Sequence, residues 1–96
     1  MKPLELTDDL VRVARRCVWF KAPDDAIRMP AHFIAHVLTF GTHADVRVLR
    51  QQVCDADLME AIDTAPAGVF DPRSWAYWNL MLGRDEPPPM PRRRLE

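Results

Sequence analysis

The chain has 96 residues, of which 48% are apolar and 28% charged, so it carries one soluble globular core and is neither a disordered nor a fibrous chain. Thirteen basic and 14 acidic side chains leave a net charge of −1, which excludes a one-signed field that would draw in nucleic acid or anionic membrane at long range. Any nucleic-acid role therefore requires a local basic patch.

From Thr7 the apolar residues fall at Leu10, Val11, Val13, Ala14, Cys17 and Val18, the spacing of one helical stripe, with Arg12, Arg15 and Arg16 opposite. Thr7 is the expected cap, and Asp8 and Asp9 sit where carboxylates favour the positive end of the helix dipole. Pro23 with Asp24-Asp25 ends the segment. A second helix starts with Pro30 at its first position and runs through AHFIAHVLTF to Gly41, read as a left-handed C-terminal residue. Phe33, Ile34, Val37, Leu38 and Phe40 place it at the centre of the core.

Thr42 caps a third helix, with Asp45 in the place of a capping-box acid and Val46, Val48, Leu49 and Val53 following. Asp55 or its neighbour starts a fourth, apolar at Leu58, Met59, Ala61 and Ile62 and closed before Ala65-Pro66. Asp71-Pro72 is a strong start signal for a last helix that runs to about Leu82 and stops at Gly83. Beyond it, RDEPPPMPRRRLE has charges, consecutive prolines and little to bury. The expected architecture is all-α, about five short helices in one domain over 1–83, with an extended proline- and arginine-rich tail over 84–96.

Chemistry-bearing residues are sparse. His32 and His36 share a helix face, but no glutamate follows His32 and no third ligand has zinc-site spacing, so neither metal nor cofactor is expected. Ser74 lacks nucleophile-elbow glycines, and three glycines at 41, 68 and 83 cannot build a phosphate-cradling loop. Cys17 and Cys54 could close a disulfide, but with no export signal or membrane span they read as buried free thiols of a cytoplasmic, non-enzymatic protein. FGTHADVRVLRQQV has the outline of a helix-turn-helix, yet Arg47 and Arg50 occupy positions that are apolar in that motif, which suits a packed helical corner better.

Two of the three tryptophans and the one tyrosine lie between positions 75 and 78. On a helix Trp75, Trp78 and Leu82 share a face, while Tyr77, Leu80 and Met81 point elsewhere. Trp78 and Leu82 are assigned to the core. Trp75 and Tyr77, with Phe70 and Arg73 nearby, suit either the core or a partner's surface, because aromatic residues and arginine concentrate at the energetic centres of interfaces.

HFIAHVLTFGTHADVRVLRQQ followed by ADLMEAIDTAPAGVFDPRSWAYWNLMLG resembles a family of small helical bacterial proteins found beside nucleotidyltransferase-like toxins of the AbiEii abortive-infection type. The resemblance spans roughly residues 18 to 83. It is carried by Phe40-Gly41-Thr42, Asp45, Leu49, Asp71-Pro72-Arg73-Ser74, Tyr77-Trp78 and Leu80. It implies an antitoxin that neutralises a cognate nucleotidyltransferase-like toxin by direct binding. The expected anchors are Phe70, Arg73, Trp75 and Tyr77, with the tail and its Arg92, Arg93 and Arg94 ordering on contact. Two alternatives remain: a nucleic-acid-binding transcriptional regulator using Arg47, Arg50 and the arginine tail, and a homodimer whose aromatic helix pairs with itself.

Overall fold

Local capping chemistry sets the start of each long helix in the computed structural model, which describes residues 2–91. Thr7 accepts the Leu10 N–H at 3.1 Å and opens α1 (Asp8–Cys17). Pro23 opens the single-turn α2 (Pro23–Ala26), and Pro30 opens α3 (Pro30–Phe40), each using a residue whose missing N–H is harmless at that position. Thr42 and Asp45 form a reciprocal capping box at α4 (His43–Leu49). Cys54 precedes α5 (Asp55–Thr64), its N–H donating to Asp57 at 3.1 Å, and Asp71 accepts the Ser74 N–H at 2.7 Å at α6 (Pro72–Met81).

Among the described residues there are six helices and no strand, so the fold is all-α. The count exceeds the expected five because Pro23-Asp24-Asp25, read as a stop, begins a turn of helix too short to show any periodicity. α3 is the central element: Phe33 to Leu38 is buried without interruption, with α5 along one side and α1, α4 and α6 around the remainder. Leu10, Val13 and Val18 pack in from the α1 region, Leu49 from α4, and Leu58 and Ile62 from α5.

One local expectation is corrected. Gly41 is not left-handed: its φ is −79°, and glycine is needed there because a Cβ would lie 2.6 Å from the Val37 carbonyl oxygen. Positive φ occurs instead at Gly68, +91°, and at Gly83, +92°, the latter with open space around it. Gly41→Ala is therefore expected to destabilise by about 1–3 kcal/mol through overpacking against backbone. Gly83→Ala should cost only about 1 kcal/mol, from its left-handed backbone. Denaturant titration of the two variants checks the order, and equal losses would contradict the steric account.

The segment after α6, read from the sequence as an extended tail, meets the helices at Arg84, Pro88 and Met90. The Trp75 indole donates to the Pro88 carbonyl at 2.8 Å, and Met90 packs against the core. Prolines carry no N–H and make no internal hydrogen bonds, so their carbonyls are open acceptors for a buried indole. Arg84 adds a clamp, donating to Asn79 Oδ1 at 3.0 Å and to Asp63 at 2.9 Å.

Candidate interaction surface

α1 ends at Cys17 and the chain turns through Trp19 and Phe20 before reaching α2, while Phe40 is the last residue of α3. These ends meet at the surface. Trp19, Phe20 and Phe40 are 67%, 53% and 54% exposed. Trp19 meets Phe20 edge-on with centroids 5.4 Å apart, and meets Phe40 at 6.3 Å. His36 lies 5.6 Å from Phe20 and 5.9 Å from Phe40, joining the rings from beneath, and His32 lies 4.2 Å from His36. The His36 Nδ1 faces the His32 carbonyl at 2.9 Å, so that nitrogen carries the proton and donates. Burial, reinforced by the nearness of His36 and Lys21, holds His32 below its ordinary pKa.

A second surface lies between α4 and α6. A groove of about 510 Å³ has buried Leu38 and Trp78 at its floor, Val46, Arg47 and Arg50 from α4, and Arg73, Tyr77 and Met81 from α6. Thr42 and His43 also line it, and no carboxylate does. Arg50 is paired with Asp55 at 2.7 Å; among the described residues neither Arg47 nor Arg73 has an ion-pair partner.

The expected anchors divide between inside and outside. Phe70 and Trp75 are 5% and 6% exposed and pack edge-on at 5.6 Å, so both serve this chain's own core. Tyr77 is 48% exposed and rests edge-on against Trp78 at 5.1 Å. Arg73 is exposed on the groove wall, which brings it and Tyr77 together with Arg47 and Arg50. Arg92, Arg93 and Arg94 lie outside the described residues.

Sequence reasoning missed the aromatic surface. Phe40 has core spacing with Phe33 and Val37, but α3 stops there and leaves the ring at the rim. Trp19-Phe20 did carry a signal: an aromatic pair in a short connector between an arginine-rich helix and a proline has no helical stripe to join.

Burial, then the nearby Asp45 charge, pushes the Cys17 thiol up to about 11, so it stays protonated at neutral pH. Cys54 is exposed, contrary to the expectation of a buried thiol, and both cysteines are free. Among the described residues no group of three or more His, Cys, Asp or Glu side chains is placed to hold a metal ion, and no helix is long and apolar enough to cross a membrane. No protein-family model, curated protein or solved structure matches this chain.

Proposed function

We propose that this chain is a non-enzymatic protein-binding module of antitoxin type, which neutralises a nucleotidyltransferase-like toxin by direct contact. The observation that carries the binding role is the set of three large aromatic side chains, Trp19, Phe20 and Phe40, side by side and each more than half exposed. Fully burying an exposed large apolar side chain recovers about 1.5–3 kcal/mol, of which these partly covered rings retain a fraction for a partner, and tryptophan is enriched among interface residues of greatest effect. The nature of the partner comes from the resemblance carried by Phe40-Gly41-Thr42 and Asp71-Pro72-Arg73-Ser74.

Co-expression with the toxin-like gene adjoining it is the direct test. Restored growth together with co-purification supports the proposal; unabated toxicity with no complex overturns it. Trp19→Ala is expected to weaken the complex by about 2 kcal/mol, roughly 30-fold in Kd. Its thermal midpoint should stay near wild type, because among the described residues Trp19 makes ring contacts only with Phe20 and Phe40, themselves exposed. A large stability loss would instead make the cluster part of the fold.

A second reading, nucleic-acid binding, is favoured by one observation: Arg47, Arg50 and Arg73 line one groove without a carboxylate. It requires binding whose logarithm falls steeply with the logarithm of salt concentration. A homodimer whose aromatic last helix pairs with itself is the remaining alternative and is read from the solution mass of the isolated protein.

A further inference from the structure

We infer that the groove between α4 and α6 is a receptor for an acidic amphipathic segment of a protein partner, with its carboxylates on Arg47 and Arg73 and an apolar side chain on the Leu38–Trp78 floor. The inference rests on the protein-binding reading above and names the surface and the chemistry of contact.

Three features support that occupant. The first is charge: Arg47 and Arg73 come from different helices, are exposed, and have no ion-pair partner among the described residues. In a chain with 14 acidic side chains, a groove lined by three arginines and no carboxylate is complementary to an anion. Guanidinium groups engage carboxylates in bidentate geometry, which fixes register as well as adding energy. The second is the floor. Leu38, Val46, Trp78 and Met81 offer carbon, with the half-exposed Tyr77 ring at the edge. That lining suits a leucine or phenylalanine side chain, and a volume of about 510 Å³ admits one or two of them.

The third feature decides against a nucleic acid. A polyanion backbone is held by a track of several unengaged cations, and here Arg50 already holds Asp55, leaving two. The chain's net charge of −1 supplies no long-range attraction in addition. An amphipathic helix with acids flanking apolar anchors at i, i+3 and i+4 matches both the cations and the floor.

The test uses the full chain and a synthetic peptide in which glutamates flank leucine and phenylalanine at that helical spacing. Its controls are the same peptide with lysine for glutamate and a single-stranded oligonucleotide of equal charge. The expected result is amide and side-chain NMR shifts concentrated at Arg47, Arg73 and Tyr77, with affinity falling about tenfold or more in the double variant Arg47→Gln, Arg73→Gln. Both arginines are exposed, and an unchanged thermal midpoint verifies that the variant folds. Absence of binding, equal binding of the lysine peptide, an unaffected double variant, or stronger binding of the oligonucleotide each overturns the inference. Toxin capture separates the two levels. Toxin retained equally by wild type and double variant removes the groove and leaves the antitoxin reading intact. Toxin ignored by wild type removes the antitoxin reading, while the peptide titration still decides the groove.

Discussion

Asp45→Ala is expected to lower the unfolding free energy by about 1–3 kcal/mol, the range for losing a helix cap and leaving hydrogen-bond partners unpaired. Its side chain is 1% exposed, yet it ends the reach of Arg16 from α1, whose guanidinium bonds Oδ1 and lies 3.5 Å from Oδ2 through Nε. The same carboxylate accepts the Thr42 N–H at 2.9 Å, while the Asp45 N–H donates to the Thr42 hydroxyl at 3.2 Å. One side chain thus caps α4 and ties it to α1. Alanine leaves the Thr42 N–H and the Arg16 guanidinium without their acceptor. Asparagine keeps the shape and loses the charge, so its cost should be smaller.

The pH dependence supplies an independent check. Burial pushes the Asp45 carboxyl upward, but the Arg16 guanidinium and the Thr42 hydrogen bonds outweigh it and hold it below the usual carboxylate range. A depressed folded-state pKa contributes stability that is fully present above the unfolded value, about 3.9, and is lost as pH falls through the folded value. The stability gap between wild type and Asp45→Asn should therefore be full at neutral pH and shrink below about pH 4. Urea titrations across that range measure it. A gap that stays constant into acid would show that shape, and not charge, is what Asp45 contributes.

What the sequence disclosed follows the range of the forces involved. Thr7, Thr42, Asp45 and Asp71 were legible as capping residues because each bonds a backbone group three positions away. The partner of Asp45 was not, since Arg16 lies 29 residues earlier and only packing of α1 on α4 brings it near. Periodicity placed Trp78 correctly on a buried face. It could not decide Trp75, whose indole is satisfied by Pro88, 13 residues later in a stretch with no periodic signal. The surplus apolar surface was anticipated on the last helix, and Tyr77, Leu80 and Met81 do lie exposed there. The larger aromatic cluster assembles at two helix ends, Trp19-Phe20 after α1 and Phe40 at the close of α3, whose meeting depends on how the two helices cross. That geometry has no local signature.

Trp78→Ala is expected to cost about 3–5 kcal/mol, as for other large-to-small changes at buried aromatic positions. More informative is Trp78→Phe, which keeps most of the apolar surface and removes a single bond. The indole N–H donates to the Leu38 carbonyl at 2.8 Å. Leu38 is among the last residues of α3, whose carbonyls lack helical donors. Thr42 N–H, the donor it would have if the helix continued, is held by Asp45 instead. The α3–α4 corner thus leaves an acceptor that α6 must satisfy, and phenylalanine cannot. Leaving that carbonyl unpaired should cost about 1–3 kcal/mol. Because Trp78 also holds the Arg73 and Tyr77 wall against the Arg47 and Arg50 wall, the phenylalanine variant should bind the acidic peptide more weakly than wild type. Loss of a partner through Trp19, on the aromatic surface, should be smaller in the same protein. Calorimetric unfolding and the two binding measurements separate these effects. Full stability with phenylalanine would mean that the indole-to-carbonyl bond does not latch α6 to α3.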